Sequence, residues 1–180
     1  ENYAKAKMKI FESQKKTDIA IICADDQICK SISNKFKKKF SCKLVIISAK
    51  QKIKNGIYLE TNNDKKFIIN KIKGSKLKIP ISYTKHLVGF HNLQNLLAVY
   101  ACCMFLKMSN TEFLNGLKTF RGLEHRLEFF AKYKNISFYN DSKATNYESA
   151  KIAITNISNI YWLVGGRLKK NNIHGIEKKL

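Results

Sequence analysis

Long apolar runs are missing from this sequence of 180 residues. None approaches the ~20 consecutive apolar residues that a bilayer-spanning helix needs. No signal peptide is expected either: the first residues, ENYAKAKMKIFESQ, read as a charged amphipathic segment. It carries no initiator Met, so the expectation is a piece of something longer. Arginine is scarce although the formal net charge is +21. The arginines are Arg121, Arg126 and Arg167, and lysine supplies the remaining basic charge. Lysine rises together with Asn, Ile, Phe and Tyr, as an AT-rich coding sequence would produce. A surface that reads phosphates normally uses the planar, bidentate guanidinium. The charge therefore reads as a solvated background, with a polyanion-binding surface as the lesser alternative.

Among the five cysteines, Cys23, Cys29, Cys42, Cys102 and Cys103, no C-x-x-C occurs. No histidine stands at zinc-ligand spacing from a pair of them, which excludes a zinc motif. Cys23, Cys102 and Cys103 lie in apolar runs and read as small core residues. The pattern predicts a reducing, cytoplasmic setting. No G-x-x-x-x-G-K-[ST] occurs, so the chain has no P-loop. Repeats are absent, and low complexity is limited to short lysine runs such as Lys37-Lys38-Lys39.

What is present is globular: 44% hydrophobic and 26% charged residues. Tyr3, Ala6, Ile10 and Phe11 suggest one face of a helix over 2–15. Ile19–Cys23 and Leu44–Ile47 are short continuous apolar runs, typical of strands buried on both faces. Between them, Asp25 and Asp26 favour a helix start, and Ile28, Ile32 and Phe36 form a covering stripe. This alternation predicts an α/β fold with a mainly parallel sheet and flanking helices. Ile57-Tyr58-Leu59 and Phe67-Ile68-Ile69 flank a turn-rich stretch and predict a β-hairpin. Pro80, the single proline, punctuates the approach to a helix over about 91–108, apolar almost all round and so expected to be buried. Ser109-Asn110-Thr111-Glu112 matches a capping box opening another helix. Gly122 marks a break. Beyond it, strands are expected near 127–131, 136–139 and 161–164, with a helix from about Tyr147.

Four segments could carry chemistry. NDSKATN (140–146) joins a strand to a helix through an acid, two hydroxyls and a lysine. Asp141 stands at a strand end, where ligands of α/β sheets gather. Lys143 could hold a phosphate or carboxylate, and Thr145 could bond an oxyanion. The plainer reading is a helix start capped by Ser142 or Thr145, with Asp141 solvated. In GLEHRLE (122–128), Arg126 could clamp a phosphate, or could pair with Glu124 or Glu128 on the surface. In GFHNLQN (89–95), Asn92 and Asn95 are one turn apart and could face one ligand; the alternative is capping by Asn92. Gly165-Gly166 lets a backbone approach an anion, with Lys169 supplying charge.

Together, NDSKATN, FRGLEHRLE (120–128), GFHNLQN and YAKAKMKIF (3–11), in this order and spacing, resemble the Mur ligase family. NDSKATN is similar to its D-glutamate-adding branch. The resemblance covers essentially the whole chain. It implies ATP-dependent phosphorylation of the UDP-N-acetylmuramoyl-L-alanine carboxylate, then attack by the D-glutamate amine, with magnesium bridging phosphates. By the same resemblance, Lys7 matches a carbamylated lysine that helps hold magnesium. Asn92 and Asn95 match adenine-binding asparagines. Arg126 matches a hinge arginine on ATP phosphate, and Asp141 an acid near the ribose. Lys143 and Thr145 match positions lining the phosphate and D-glutamate region, and Lys169 a lysine facing the D-glutamate carboxylate. Lys7, Arg126 and Lys143 are the catalytic candidates.

The implied division is residues 1–122 as a central ATP-binding domain lacking its P-loop part. Residues 123–180 would begin a Rossmann-like, amino-acid-binding C-terminal domain. The departures from the family are missing sequence: the UDP-binding domain, the P-loop, the magnesium-binding glutamate and the histidine upstream of the carbamylated lysine, and the rest of the last domain. This piece alone is therefore expected to be inactive and to bind ATP poorly. The whole protein is expected to be a cytoplasmic monomer that binds neither nucleic acid nor membrane. The competing readings are a sibling ligase for another amino acid or for folates, a degenerate homologue kept as a scaffold, and a basic nucleic-acid-binding module. The last would need clustered basic residues with interleaved aromatics.

Overall fold

The computed structural model describes residues 2–166 apart from 64, 75, 82–86 and 88. The chain divides into two units, one of residues 1–83 with 90–119 and one of residues 84–89 with 120–180.

The first unit is α/β. Helix α1 (Asn2–Met8) ends in a tighter turn, Lys9–Phe11, so the expected helix over 2–15 stops early. A five-stranded sheet has the order β1 (Ile19–Cys23), β2 (Lys43–Ser48), β3 (Ile57–Asn62), β4 (Lys65–Asn70) and β5 (Leu77–Ile81). β1, β2 and β3 are parallel neighbours, whereas β4 runs antiparallel to both β3 and β5. The sheet is thus mixed, and the expected hairpin β3–β4 continues it. Asn63 takes φ 46°, the left-handed conformation that a two-residue hairpin turn requires. Pro80 lies within β5, an edge strand, where a missing N–H is tolerated.

Alternation along β1 buries Ala20 and Ile22 against Phe36 of α2 (Gln27–Lys39). Phe11 and Phe40 complete an aromatic cluster, with Phe36 ring centroids 5.2 and 4.9 Å away. Burying Phe36 alone contributes about 2–3 kcal/mol. The covering stripe differs from the expected one. Ile28 is 64% exposed, and Cys29 takes its place beside Ile32 and Phe36. Asp26 is the N-cap of α2, its side chain accepting from the Cys29 N–H at 2.8 Å, which leaves Asp25 for another task.

Helix α3 (Phe90–Phe105) packs on β1, β2 and β3. Only one side of it is buried, through Leu96, Leu97, Tyr100 and Ala101. Val99 and Cys102 are exposed, so neither the all-round burial nor the core role expected of Cys102 is found. The helix ends with paired bonds, Lys107 N–H to Met104 O and Met108 N–H to Cys103 O, with Lys107 at φ 61°. The capping box then opens α4 (Asn110–Thr119). Ser109 N–H donates to the Glu112 carboxylate at 2.8 Å, and Glu112 N–H donates to Ser109 Oγ at 3.2 Å.

The second unit contains an antiparallel ribbon, β6 (Glu128–Tyr133) and β7 (Ile136–Asn140), and helix α5 (Tyr147–Asn156). The expected strand over 161–164 is not formed: Tyr161 and Leu163 are 93% and 98% exposed. A strand needs a neighbouring edge for its N–H and C=O groups, and no edge pairs with this segment among the described residues.

Candidate functional site

In the second unit, the β6–β7 pairing sets Glu128 opposite Asn140. An antiparallel ribbon returns the chain to its starting end. The segment entering β6 and the segment leaving β7 therefore lie side by side, although far apart in sequence. Three contacts fasten them. Leu127 N–H donates to Asp141 Oδ1 at 3.0 Å, Lys143 N–H donates to the His125 carbonyl at 3.1 Å, and Asn140 Nδ2 lies 2.8 Å from His125 Nδ1. NDSKATN and GLEHRLE thus form one constellation.

Its backbone is unusual on both sides of Arg126: His125 has φ 63° and Leu127 has φ 49°. Non-glycine residues adopt this region at a cost of about 1–2 kcal/mol each. Local bonds hold it, with Arg126 N–H reaching Leu123 O at 3.2 Å and His125 N–H reaching the Glu128 carboxylate at 2.8 Å. Glu128 therefore serves His125 rather than pairing with Arg126, whose guanidinium is exposed and has no ion-pair partner among the described residues.

Within the turn, Asp141 is half-buried while Lys143 and Thr145 are exposed. Ser142 N–H donates to Asn140 Oδ1 at 3.1 Å, Ala144 N–H to Asp141 O at 2.8 Å, and Thr145 N–H to Lys143 O at 2.9 Å. The cap of α5 is neither Ser142 nor Thr145. Asn146 accepts from the Ser149 N–H at 2.9 Å. The Thr145 hydroxyl is therefore not taken up by helix capping, and Asp141 is a bonded acid rather than a solvated one.

In the first unit, Asn92 and Asn95 lie in the opening turns of α3, with Asn95 Nδ2 3.5 Å from Asn92 Oδ1. The two amides share a face, as their spacing predicts. Lys7 lies near the end of α1, with its Nζ 5.4 Å from the Tyr3 ring centroid. It borders an open cavity of about 420 Å³ whose other walls include Met8, Ile10, Phe11, Cys23 and Cys29. Burial, with Asp25 beside Cys23 and Asp26 beside Cys29, pushes both thiols up to about 11. Both stay protonated at neutral pH and are poor nucleophiles and metal ligands.

Magnesium wants an octahedron of oxygens. The cavity beside Lys7 is apolar and thiol-lined, and no group of three His, Cys, Asp or Glu able to hold a metal occurs among the described residues. These residues do not by themselves fit magnesium. Lys169 and the neighbouring Arg167 and Lys170 lie outside the described residues.

One polar cluster escaped the sequence reading. The Asp25 carboxylate sits just past the C-terminal end of β1. Its Oδ1 accepts from Ser48 Oγ at 2.5 Å and Lys50 N–H at 3.3 Å. Its Oδ2 accepts from Ala49 N–H at 3.0 Å and Gln94 Nε2 at 2.8 Å. Desolvation works to raise its pKa, but the bonds from Ser48, Gln94 and Ala49 outweigh it and hold the carboxyl below its ordinary 3.8. Sequence could have flagged it, because two adjacent acids after a strand leave one spare once the helix is capped.

Residues 1–103 match the family described as Mur ligase middle domain. UDP-N-acetylmuramoylalanine--D-glutamate ligase of Rickettsia prowazekii is 36% identical over 98% of this chain and 38% of its own length. The chain thus spans well under half of that relative. Among solved structures, MurF from Acinetobacter baumannii superposes with a TM-score of 0.59 at 20% identity, over 84% of this chain and 31% of that one. MurF ligase from Thermotoga maritima, solved in complex with ADP, gives 0.56 at 15% identity over 84% and 33%. At such identities these two show the fold alone.

Proposed function

The chain belongs to the Mur ligase family, and we propose that it is part of an ATP-dependent ligase that joins D-glutamate to UDP-N-acetylmuramoyl-L-alanine. The observation that carries this reading is the fastening of NDSKATN onto GLEHRLE by the Leu127–Asp141 and His125–Lys143 bonds. It groups an acid, an arginine, a lysine and a hydroxyl in one unit, the set a phosphoryl and acyl-transfer site needs.

In this reading residues 1–122 belong to the nucleotide-binding domain and residues 123–180 begin the amino-acid-binding domain. ATP transfers its γ-phosphoryl group to the L-alanine carboxylate, giving an acyl phosphate and ADP. The D-glutamate amine attacks the acyl carbon. The amide forms, inorganic phosphate leaves, and the amine loses a proton. Asn92 and Asn95 would meet the adenine and Asp141 the ribose, while Arg126 neutralises phosphate charge. Lys143 would stabilise charge on the transferred phosphoryl group, and Thr145 and Lys169 would meet D-glutamate. Magnesium would accompany ATP, held mostly by phosphate and water oxygens. Carbamylation of Lys7 would add an oxygen donor. The setting is cytoplasmic and the whole protein acts as a monomer. No described helix is long and apolar enough to cross a membrane.

The test is phosphate release by the full-length protein given ATP, magnesium and UDP-N-acetylmuramoyl-L-alanine. Release that requires D-glutamate supports the assignment. Release that requires a different amino acid would move the protein to a sibling activity.

A further inference from the structure

Asp25 and Gln94 carry an inference that rests on the adenine-binding reading of Asn92 and Asn95. A carboxylate offers about four lone-pair sites, and Asp25 meets them with Ser48 Oγ, Ala49 N–H, Lys50 N–H and Gln94 Nε2, with the Cys23 thiol as a further donor beside it. A saturated acid of this kind ties chain segments together and has no capacity left for a metal or substrate. The segments it ties are the end of β1, the loop after β2 and the first turns of α3. The loop is itself locked, because Ser48 Oγ also accepts from the Lys50 and Gln51 N–H groups at 3.2 and 2.9 Å. A second contact joins the same two pieces, with Lys50 Nζ 5.5 Å from the Phe90 ring centroid. Gln94 lies between Asn92 and Asn95 in sequence. Helical geometry turns about 100° per residue, so a rotation or slide of this turn relocates both amides.

We propose that Asp25 is a positioning residue. Through Gln94 it fixes the rotation and height of the first turns of α3, and so sets where Asn92 and Asn95 meet the adenine edge. Asp25 itself touches no reactant.

The experiment measures kcat and KM for the full-length ligase with ATP and with GTP, for Q94L, D25N and N95A beside wild type. Q94L removes the link to α3 and leaves the loop bonds of Asp25 in place. D25N puts an NH2 against donors. For Q94L the expected result is a KM for ATP raised about tenfold, the loss of one charge-assisted bond. Its kcat should stay within about twofold and its KM for D-glutamate unchanged, while its preference for ATP over GTP falls. D25N should move the same parameters in the same direction. If Q94L and D25N lower kcat and melting temperature while the ATP-to-GTP ratio stays at its wild-type value, Asp25 is merely structural and the proposal fails. If N95A raises the KM for ATP and Q94L does not, the proposal alone falls. If N95A is silent as well, the adenine reading falls with it.

Discussion

Asp141 Oδ1 accepts a hydrogen bond from the Leu127 backbone N–H at 3.0 Å, and Leu127 holds φ 49° while its side chain is buried. The acid therefore stabilises a backbone conformation that leucine alone disfavours. D141A should lower the stability of the full-length protein by about 1–3 kcal/mol, because a part-buried N–H loses its partner. D141N keeps an acceptor oxygen and should lose less than about 1 kcal/mol. Both should depress ligase activity if the charge meets the nucleotide. Thermal unfolding and steady-state kinetics separate the two effects.

Lys143 and Arg126 are exposed, so their roles are separable from folding. K143A and R126A should each unfold within about 0.5 kcal/mol of wild type. Each should reduce kcat by about 10²–10³-fold, as when a charge-stabilising donor is removed from a transition state. A loss confined to KM would instead mark a ground-state contact.

Acid should act through Asp25 and Asp26, both held below the ordinary 3.8. For Asp25, desolvation opposes the shift and the bonds from Ser48, Gln94 and Ala49 win. For Asp26, the Cys29 N–H of the N-cap lowers it. A carboxylate depressed in the folded state contributes stability that is present above the unfolded value. That stability is lost as pH falls through the folded value. The stability difference between wild type and D25N should thus be about 1–3 kcal/mol at neutral pH. It should shrink as the pH falls below 3.8. Denaturant unfolding at several pH values checks this.

Lys107 closes α3 with φ 61°, a position where glycine carries no Cβ penalty. K107G should leave stability unchanged or raise it by up to about 1 kcal/mol. K107V should lower it, since a β-branched side chain fits that region poorly. Both changes lie on an exposed residue and should show as shifts in melting temperature.

The sequence disclosed the elements whose signal is local. Ile19–Cys23 and Leu44–Ile47 have the short apolar runs typical of buried strands and form β1 and most of β2, and Ser109 with Glu112 announces a helix start through two reciprocal bonds. It misjudged features set by distant neighbours. Ile28 is periodic with Phe36, yet the cap at Asp26 turns α2 so that Cys29 faces the core. Cys102 sits in an apolar run, but α3 meets the sheet on one side only. The segment 161–164 has strand chemistry and no edge to join among the described residues. In the candidate site, residue types were legible and the partnerships were not. Asp141 to Leu127 spans a hairpin, and Asp25 to Gln94 spans most of the first unit. Long-range pairs leave no trace in periodicity.

The most direct test of the ligase reading follows the oxygen. UDP-N-acetylmuramoyl-L-alanine carrying heavy oxygen in its carboxylate is turned over by the full-length protein with ATP, magnesium and D-glutamate, and the released phosphate is weighed by mass spectrometry. Passage through an acyl phosphate predicts D-glutamate-dependent phosphate bearing one heavy oxygen from the substrate. Unlabelled phosphate, or release indifferent to D-glutamate, would contradict it.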